Sequence, residues 1–284
     1  MEVRKVAVVG AGNMGRQIAL NSAIYPFAVY VTDNVETTLN SVRKWVEEYL
    51  EGRVKKGRMT QEQIEDIKKR FHITGSLEEA INGADLVIEA IVERESAKHD
   101  LFKKINEIAR EDTILATNSS YMVSSLFKDD VCNPSRLCNM HYFAPALVMK
   151  LVEVVRGEHT SDKTISIAYD FCKKTGKTPI IVEREIYGFI VNRILDAYVN
   201  EARKLVDEGY CSYQDMDIAC ENGLGHPMGP FRLSDLTGID LNIDVMESRY
   251  QETGIKPPGY DLFKKMYDQG RYGKKVGRGF YDYE

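Results

Sequence analysis

The chain has 284 residues, 43% of them hydrophobic and 29% charged, with Lys+Arg 38 against Asp+Glu 43 and a net charge of -5. That length buries a large core in one big or two smaller domains, and the charge balance gives no overall basic field to draw nucleic acid or an anionic membrane. The five cysteines (Cys132, Cys138, Cys172, Cys211, Cys220) are odd in number and show no paired spacing. Neither a disulfide framework nor a metal site is expected, and reduced thiols in a soluble, cytoplasmic protein are. The apolar run before Gly10 is too short for a signal-peptide core, and no run approaches a membrane span.

In chain order, Lys5 to Val9 reads as a buried strand, Gly10-Ala-Gly12-Asn13-Met14-Gly15 as a turn and Arg16 to Ser22 as the start of a helix. Val29 to Asp33 is the next strand. From Val35 to Phe71 the pattern is charged and helical, with breaks predicted near Gly52 and Gly57 and a capping box at Thr60 to Gln63. This is long for one crossover and suggests an inserted helical hairpin. Strand signals return at Leu86–Val92, Thr113–Thr117, Arg136–Met140, Leu151–Val155 and Pro179–Val182, alternating with helical stretches at Lys98–Ala109 and Asp162–Thr175. Such alternation predicts an α/β domain with a largely parallel sheet over residues 1–185. Strand signals then stop, and an all-helical domain is expected over residues 186–284.

Gly10, Gly12 and Gly15 form GxGxxG directly after a strand and at the opening of a helix, the setting in which this pattern holds a dinucleotide. The first glycine makes the tight turn, the second lets the pyrophosphate approach the backbone, and the third lets helix and strand pack closely. Asp33, at the end of the second strand, is placed to accept hydrogen bonds from the adenosine ribose and to repel a 2'-phosphate, so NAD is favoured over NADP. The bland alternative is a glycine-rich turn that merely packs, with Asp33 capping a loop.

His141 and Glu153 stand on two short apolar segments linked by a Pro-containing turn. Glu153 lies among Leu151, Val152, Val154 and Val155, where an unpaired carboxylate would cost about several kcal/mol, so it needs a partner. His141 is the nearest plausible one, and a carboxylate both sets an imidazole's tautomer and stabilises its cation. The pair reads as a base with its orienting group, or as a core histidine beside a structural glutamate.

Further motifs accompany these: Glu89-Ala-Ile-Val-Glu93, Asn118-Ser-Ser120, Met149-Lys-Leu-Val-Glu153, Gly188-Phe-Ile-Val-Asn-Arg193, Pro227-Met-Gly-Pro-Phe231 and Gly273-Lys-Lys-Val-Gly-Arg-Gly-Phe-Tyr281. With Val8 to Gly15 and His141-Tyr-Phe they cover nearly the whole chain, which resembles the 3-hydroxyacyl-CoA dehydrogenase family. The resemblance implies a Rossmann-like domain followed by a helical domain that supplies most of a homodimer contact. It also implies NAD-dependent oxidation of an L-3-hydroxyacyl-CoA thioester to the 3-ketoacyl-CoA, or the reverse reduction, with 3-hydroxybutyryl-CoA as the short-chain case.

Carried over residue by residue, the family's catalytic pair falls on His141 and Glu153, its substrate-binding serine on Ser120 and its active-site asparagine on Asn192. Glu93 and Lys98 match positions near the nicotinamide ribose, and Asn118 one near the nicotinamide. Ser120 and Asn118 also suit polar helix caps. The CoA phosphates need cations, and the basic stretch Arg53-Val-Lys55-Lys56-Gly-Arg58 offers them, unless it is a solvated loop. Four residues depart from the family pattern. Ala144 stands where many members have Asn, Tyr121 replaces a second serine, Tyr142 a phenylalanine, and Tyr187 the proline before Gly188. They bear on substrate identity more than on reaction type. Related chemistries with the same architecture act on free hydroxy acids or on sugar acids such as L-gulonate, and a non-catalytic dinucleotide-binding protein is the remaining alternative.

Overall fold

The computed structural model describes residues 2–284 and divides the chain into two compact units, one ending at Phe189 and the other spanning Ile190–Glu284. The expected boundary at 185/186 lies close to this division, and Phe189 is fully buried in a cluster with Val155 and Val182 of the first unit.

The first unit is built on one sheet of eight strands: β1 (Lys5–Val9), β2 (Ala28–Thr32), β3 (Phe71–Thr74), β4 (Leu86–Glu89), β5 (Ile114–Thr117), β6 (Leu137–Tyr142), β7 (Leu151–Val155) and β8 (Thr178–Val182). Their order is β3-β2-β1-β4-β5-β6-β7-β8, and neighbours are parallel except β6 and β7, which run antiparallel. The first six strands follow the doubly wound order of dinucleotide-binding sheets. Their carboxyl ends therefore share one edge. Helices α1 (Asn13–Ile24), α2 (Glu36–Lys55), α3 (Gln61–Arg70), α4 (Leu77–Ile81), α5 (Glu95–Ile108) and α6 (Asp162–Lys174) accompany the sheet. Two apolar clusters form its core, one around Val6, Val8, Ile18 and Val29, the other around Ala7, Val87, Phe102 and Leu115. Alternate residues of β1 divide between them, as side chains on a strand covered by helices on both faces must.

The inserted hairpin consists of α2 and α3, and the capping box at Thr60 and Gln63 opens α3 as the spacing predicts. Gly52 does not break the first helix. It lies inside α2, and the turn is made at Gly57, whose φ of 63° suits glycine. The hairpin ends at Arg70, where β3 begins as an edge strand paired with β2. That strand escapes sequence reading because it is four residues long, follows a charged helix and carries His72 in its middle.

The second unit contains α7 (Val191–Asp207), α8 (Tyr213–Gly223), α9 (Pro230–Thr237), α10 (Ile239–Thr253) and α11 (Tyr260–Asp268). Phe231, Phe263 and Phe280 pack at its centre with Ile239, Ile243 and Met246. Asp217 caps α9 by accepting the N–H groups of Phe231 at 2.8 Å and Arg232 at 3.0 Å, and Asp235 holds the chain end through the N–H of Phe280 at 2.7 Å.

Candidate active site

The glycine loop sits at the carboxyl end of β1. Gly10 has φ 100°, and a β-carbon there would lie 2.5 Å from the Ala90 carbonyl oxygen; one on Gly15 would lie 1.8 Å from the Gly10 carbonyl oxygen. Both positions exclude any side chain for internal packing reasons. Gly12 differs, since nothing stands within 4 Å of where its β-carbon would be. The space in front of Gly12 is a cradle that a side chain would fill, and it opens at the N-terminus of α1, which has neither a side-chain cap nor an acidic residue in its first turn. Backbone N–H groups left in that state suit a pyrophosphate. Asn13 is exposed and accepts from Gln17 at 3.0 Å, while Met14 packs on the apolar core.

Asp33 follows β2 directly. One carboxylate oxygen accepts the Ala11 N–H at 2.8 Å and the other the Val35 N–H at 3.0 Å, so it ties the glycine loop to the chain beyond β2. A carboxylate has about four acceptor positions, which leaves capacity for ribose hydroxyls.

A buried ionic network lies at the ends of β4 and β5. Glu89 and Lys98 are fully buried and pair at 2.6 Å; Lys98 also reaches Glu93 at 3.1 Å, and Glu89 accepts from Thr117 at 2.6 Å. Ser119 donates to Glu93. Lys98 thus acts by fixing Glu93, whose side chain is partly in solvent at the sheet edge. Sequence reading passed over Glu89 and Ser119. The signal for Glu89 was present, because a carboxylate in Leu86-Val-Ile-Glu89 stands in the same apolar setting that singled out Glu153. Asn118 accepts the Tyr142 N–H at 2.9 Å and so ties the end of β5 to the end of β6; it is not a helix cap.

His141 on β6 and Glu153 on β7 are direct cross-strand partners, both buried, with Nδ1 and Oε2 2.7 Å apart. A carboxylate only accepts, so this contact places the proton on Nδ1 and turns the Nε2 lone pair the other way. At Nε2 the neighbour is the Ser120 hydroxyl, 3.1 Å away. Rings of Phe143 and Phe189 flank the imidazole at 4.5 and 5.4 Å between centroids. The turn that sets the register of the two strands is held by Lys177, which donates to the Met149 carbonyl at 2.9 Å and to the Ala146 carbonyl. Burial lowers the pKa of this lysine. Nothing in its sequence neighbourhood signalled that role.

Tyr142, next along β6, faces the opposite side and lies buried against Cys172, its pKa pushed up chiefly by burial. Burial also pushes the Cys138 thiol up to about 12, which leaves it unreactive. Asn192 lies in the first turn of α7 in the second unit, half-buried, and Lys55 and Lys56 lie exposed at the end of α2. The first unit thus brings together His141, Glu153 and Ser120, with Asn118 tied to β6 beside them.

Comparison with known proteins shows the family. The NAD binding domain model of 3-hydroxyacyl-CoA dehydrogenases matches residues 5–186, and the C-terminal domain model of the same enzymes matches residues 188–283. The chain belongs to the 3-hydroxyacyl-CoA dehydrogenase family. A probable 3-hydroxybutyryl-CoA dehydrogenase of Bacillus subtilis is 37% identical over 285 residues, covering 100% of this chain and 99% of the relative. The human mitochondrial hydroxyacyl-coenzyme A dehydrogenase is 35% identical over 290 residues, covering 99% and 92%. Among solved structures, the (S)-3-hydroxybutyryl-CoA dehydrogenase of Ralstonia eutropha superposes over 100% of both chains with a TM-score of 0.88 at 34% identity. As a 3-hydroxyacyl-CoA dehydrogenase the chain uses NAD, and the cradle before Gly12 with the uncapped start of α1 fits it.

Proposed function

We propose that the protein interconverts an L-3-hydroxyacyl-CoA and the 3-ketoacyl-CoA, with 3-hydroxybutyryl-CoA as the short-chain substrate that its relatives' names point to. The observation that carries this reading is the line Ser120 Oγ, His141 Nε2, His141 Nδ1, Glu153 Oε2, with spacings of 3.1 and 2.7 Å across the ring. The cradle before Gly12 and the uncapped start of α1 would hold NAD, which when bound would supply the hydride acceptor or donor for C3. In the oxidation direction Nε2 of His141 takes the proton of the 3-hydroxyl, and Glu153 stabilises the imidazolium that forms. Ser120 holds the reacting oxygen as its charge changes, a contribution of about 3 kcal/mol for a well-placed donor. Glu89 and Lys98 keep Glu93 and the loop after β5 in place for the cofactor. Asn192, in the second unit, carries the substrate-binding role that the family resemblance implies.

The hairpin covers the CoA moiety, with Lys55 and Lys56 toward its phosphates; their exposure supports this assignment. The protein is a homodimer formed through the helical unit, where Ile194, Ile218, Leu224, Leu241 and Val245 are all more than half exposed. A cytoplasmic location suits five cysteines that are all free. The test is a substrate panel with NADH. Acetoacetyl-CoA should drive NADH oxidation, while free acetoacetate and free sugar acids should not. Turnover of the free acids alone would transfer the same dyad to a hydroxy-acid dehydrogenase, and NAD binding without any turnover would make the protein non-catalytic.

A further inference from the structure

Two exposed tyrosines of the first unit meet in space. The rings of Tyr121 and Tyr187 lie 4.8 Å apart between centroids, with their planes inclined at 36°. They are 38% and 69% exposed, so the contact contributes little to the core. Each is anchored close to the imidazole by its chain neighbours. Ser120, just before Tyr121, touches His141 Nε2; Phe189, two residues after Tyr187, packs on the His141 ring. Successive Cα atoms are about 3.8 Å apart, so both tyrosines start within one or two residue lengths of groups that touch the imidazole.

The segment bearing Tyr187 is rigidly tied to the segment bearing Tyr121. Glu185 accepts the Ser124 hydroxyl at 2.8 Å and the Ser125 N–H at 2.9 Å, and the Phe189 N–H donates to the Ile186 carbonyl at 3.0 Å. Gly188 has φ 75° and Phe189 φ 47°, a left-handed conformation that disfavours phenylalanine and is kept because its ring is fully buried. That turn sends Phe189 inward to His141 and leaves Tyr187 outside, against Tyr121.

We propose that Tyr121 and Tyr187 form a specificity wall that reads the acyl chain beyond C4, raising the preference for extended or ring-bearing acyl groups relative to a four-carbon one. The inference rests on the thioester reading above. Ser120 and His141 fix the reacting oxygen on C3, so the atoms beyond C4 are the part of the acyl group free to lie on neighbouring surface. Two tyrosine faces offer dispersion and edge-to-face contacts to methylenes or to a ring, at low cost in side-chain entropy. One methylene gained or lost in an apolar contact changes kcat/KM by about tenfold or more.

The experiment compares kcat/KM for acetoacetyl-CoA, 3-ketooctanoyl-CoA and benzoylacetyl-CoA, each with NADH, in the wild type, the Tyr121→Ser/Tyr187→Ala double variant, the exposed single variant Tyr187→Ala and the Tyr121→Phe/Tyr187→Phe variant. Circular dichroism and NAD binding establish that each variant is folded. The expected result is a fall of about tenfold or more in the ratio of the long or aromatic substrate to acetoacetyl-CoA in the double variant. Tyr187→Ala should show a smaller fall, and the Phe/Phe variant, which keeps the rings, a ratio near wild type. An unchanged ratio, an equal loss on all substrates or a rise in the ratio overturns the wall; a rise would mean that the rings block long chains. If the wild type turns over no thioester, the thioester reading falls and the wall with it, whereas an active wild type with a flat ratio overturns the wall alone.

Discussion

His141 and Glu153 face each other across the antiparallel pair β6 and β7, in a sheet whose other neighbours are parallel, and the register of that pair makes them direct partners. Directly opposed residues have Cβ atoms about 5 Å apart, close enough for an imidazole and a carboxylate to meet in hydrogen-bonding geometry. Glu153→Gln should lower kcat by about a hundredfold or more while leaving NAD affinity nearly intact. His141→Ala should do at least as much. Their double variant should lose little more than the worse single one, because groups acting as a unit are non-additive. Steady-state kinetics with acetoacetyl-CoA, together with NAD titration, decide this; near-normal kcat in Glu153→Gln would make the glutamate a purely structural residue of β7.

Asp33 should make the protein NAD-selective, since a 2'-phosphate would bring like charge against its carboxylate. NADH should exceed NADPH in kcat/KM, and Asp33→Ser should narrow the gap. The same change removes the acceptor of the Ala11 N–H, so some loss with NADH should accompany it. Equal kcat/KM for the two cofactors in the wild type would refute the assignment.

The hairpin lysines allow a clean substitution. Lys55 makes a solvent-exposed 3.7 Å pair with Glu51, the kind of contact that contributes about 0–1 kcal/mol to stability. Replacing Lys55 and Lys56 together by alanine should therefore leave the melting temperature almost unchanged. It should raise KM for acetoacetyl-CoA and leave kcat near its original value, the pattern for a remote contact kept from ground state to transition state. An unchanged KM would return the stretch to a solvated loop.

Acid stability should depend on Asp85. Its carboxylate accepts from the Arg4 N–H at 2.8 Å, the Lys5 N–H at 3.0 Å and Arg110 at 2.7 Å, joining the start of β1 to the chain before β4. Burial by itself raises the pKa, but the bonds from Lys5, Arg110 and Arg4 together outweigh it and hold the group below its ordinary value of 3.8. A folded value below the unfolded one means that the unfolded chain binds more protons as acid is added. The stabilisation is thus present above the unfolded value and lost as pH falls through the folded one. Asp85→Asn should lower the urea midpoint at neutral pH and flatten its decline as the pH falls below 3.8. A variant whose decline parallels the wild type would show that other carboxylates set the acid limb.

The exposed apolar residues of the helical unit should disappear into a dimer. Light scattering at micromolar concentration should give twice the chain mass, and Ile194→Asp, at a side chain 68% exposed on α7, should shift it toward the monomer. A monomeric wild type would leave those side chains without the proposed partner.

The periodicity and punctuation of the chain determined much of this protein. The strand, glycine turn and helix at Lys5 to Ser22, the capping box at Thr60, the alternation that produces the parallel sheet and the helical character after Val182 are local patterns, and local propensity agrees with the final packing. The edge strand β3 was illegible because an edge buries little and so carries little apolar signal, and Gly52 misled because packing along α2 overrides one residue's preference. At the site, a carboxylate within an apolar run identified Glu153, and the same rule applied to β4 would have found Glu89. Only the tertiary structure decided the rest. The register of β6 on β7, the burial of Lys98 between two carboxylates, the grip of Lys177 on the turn and the meeting of Tyr121 with Tyr187 all join residues whose separation in the chain carries no pattern. Such pairs form because buried charges must find partners and because a packed sheet fixes which side chains are neighbours; the sequence around a residue shows that a partner is needed, and only the packing decides which one it is.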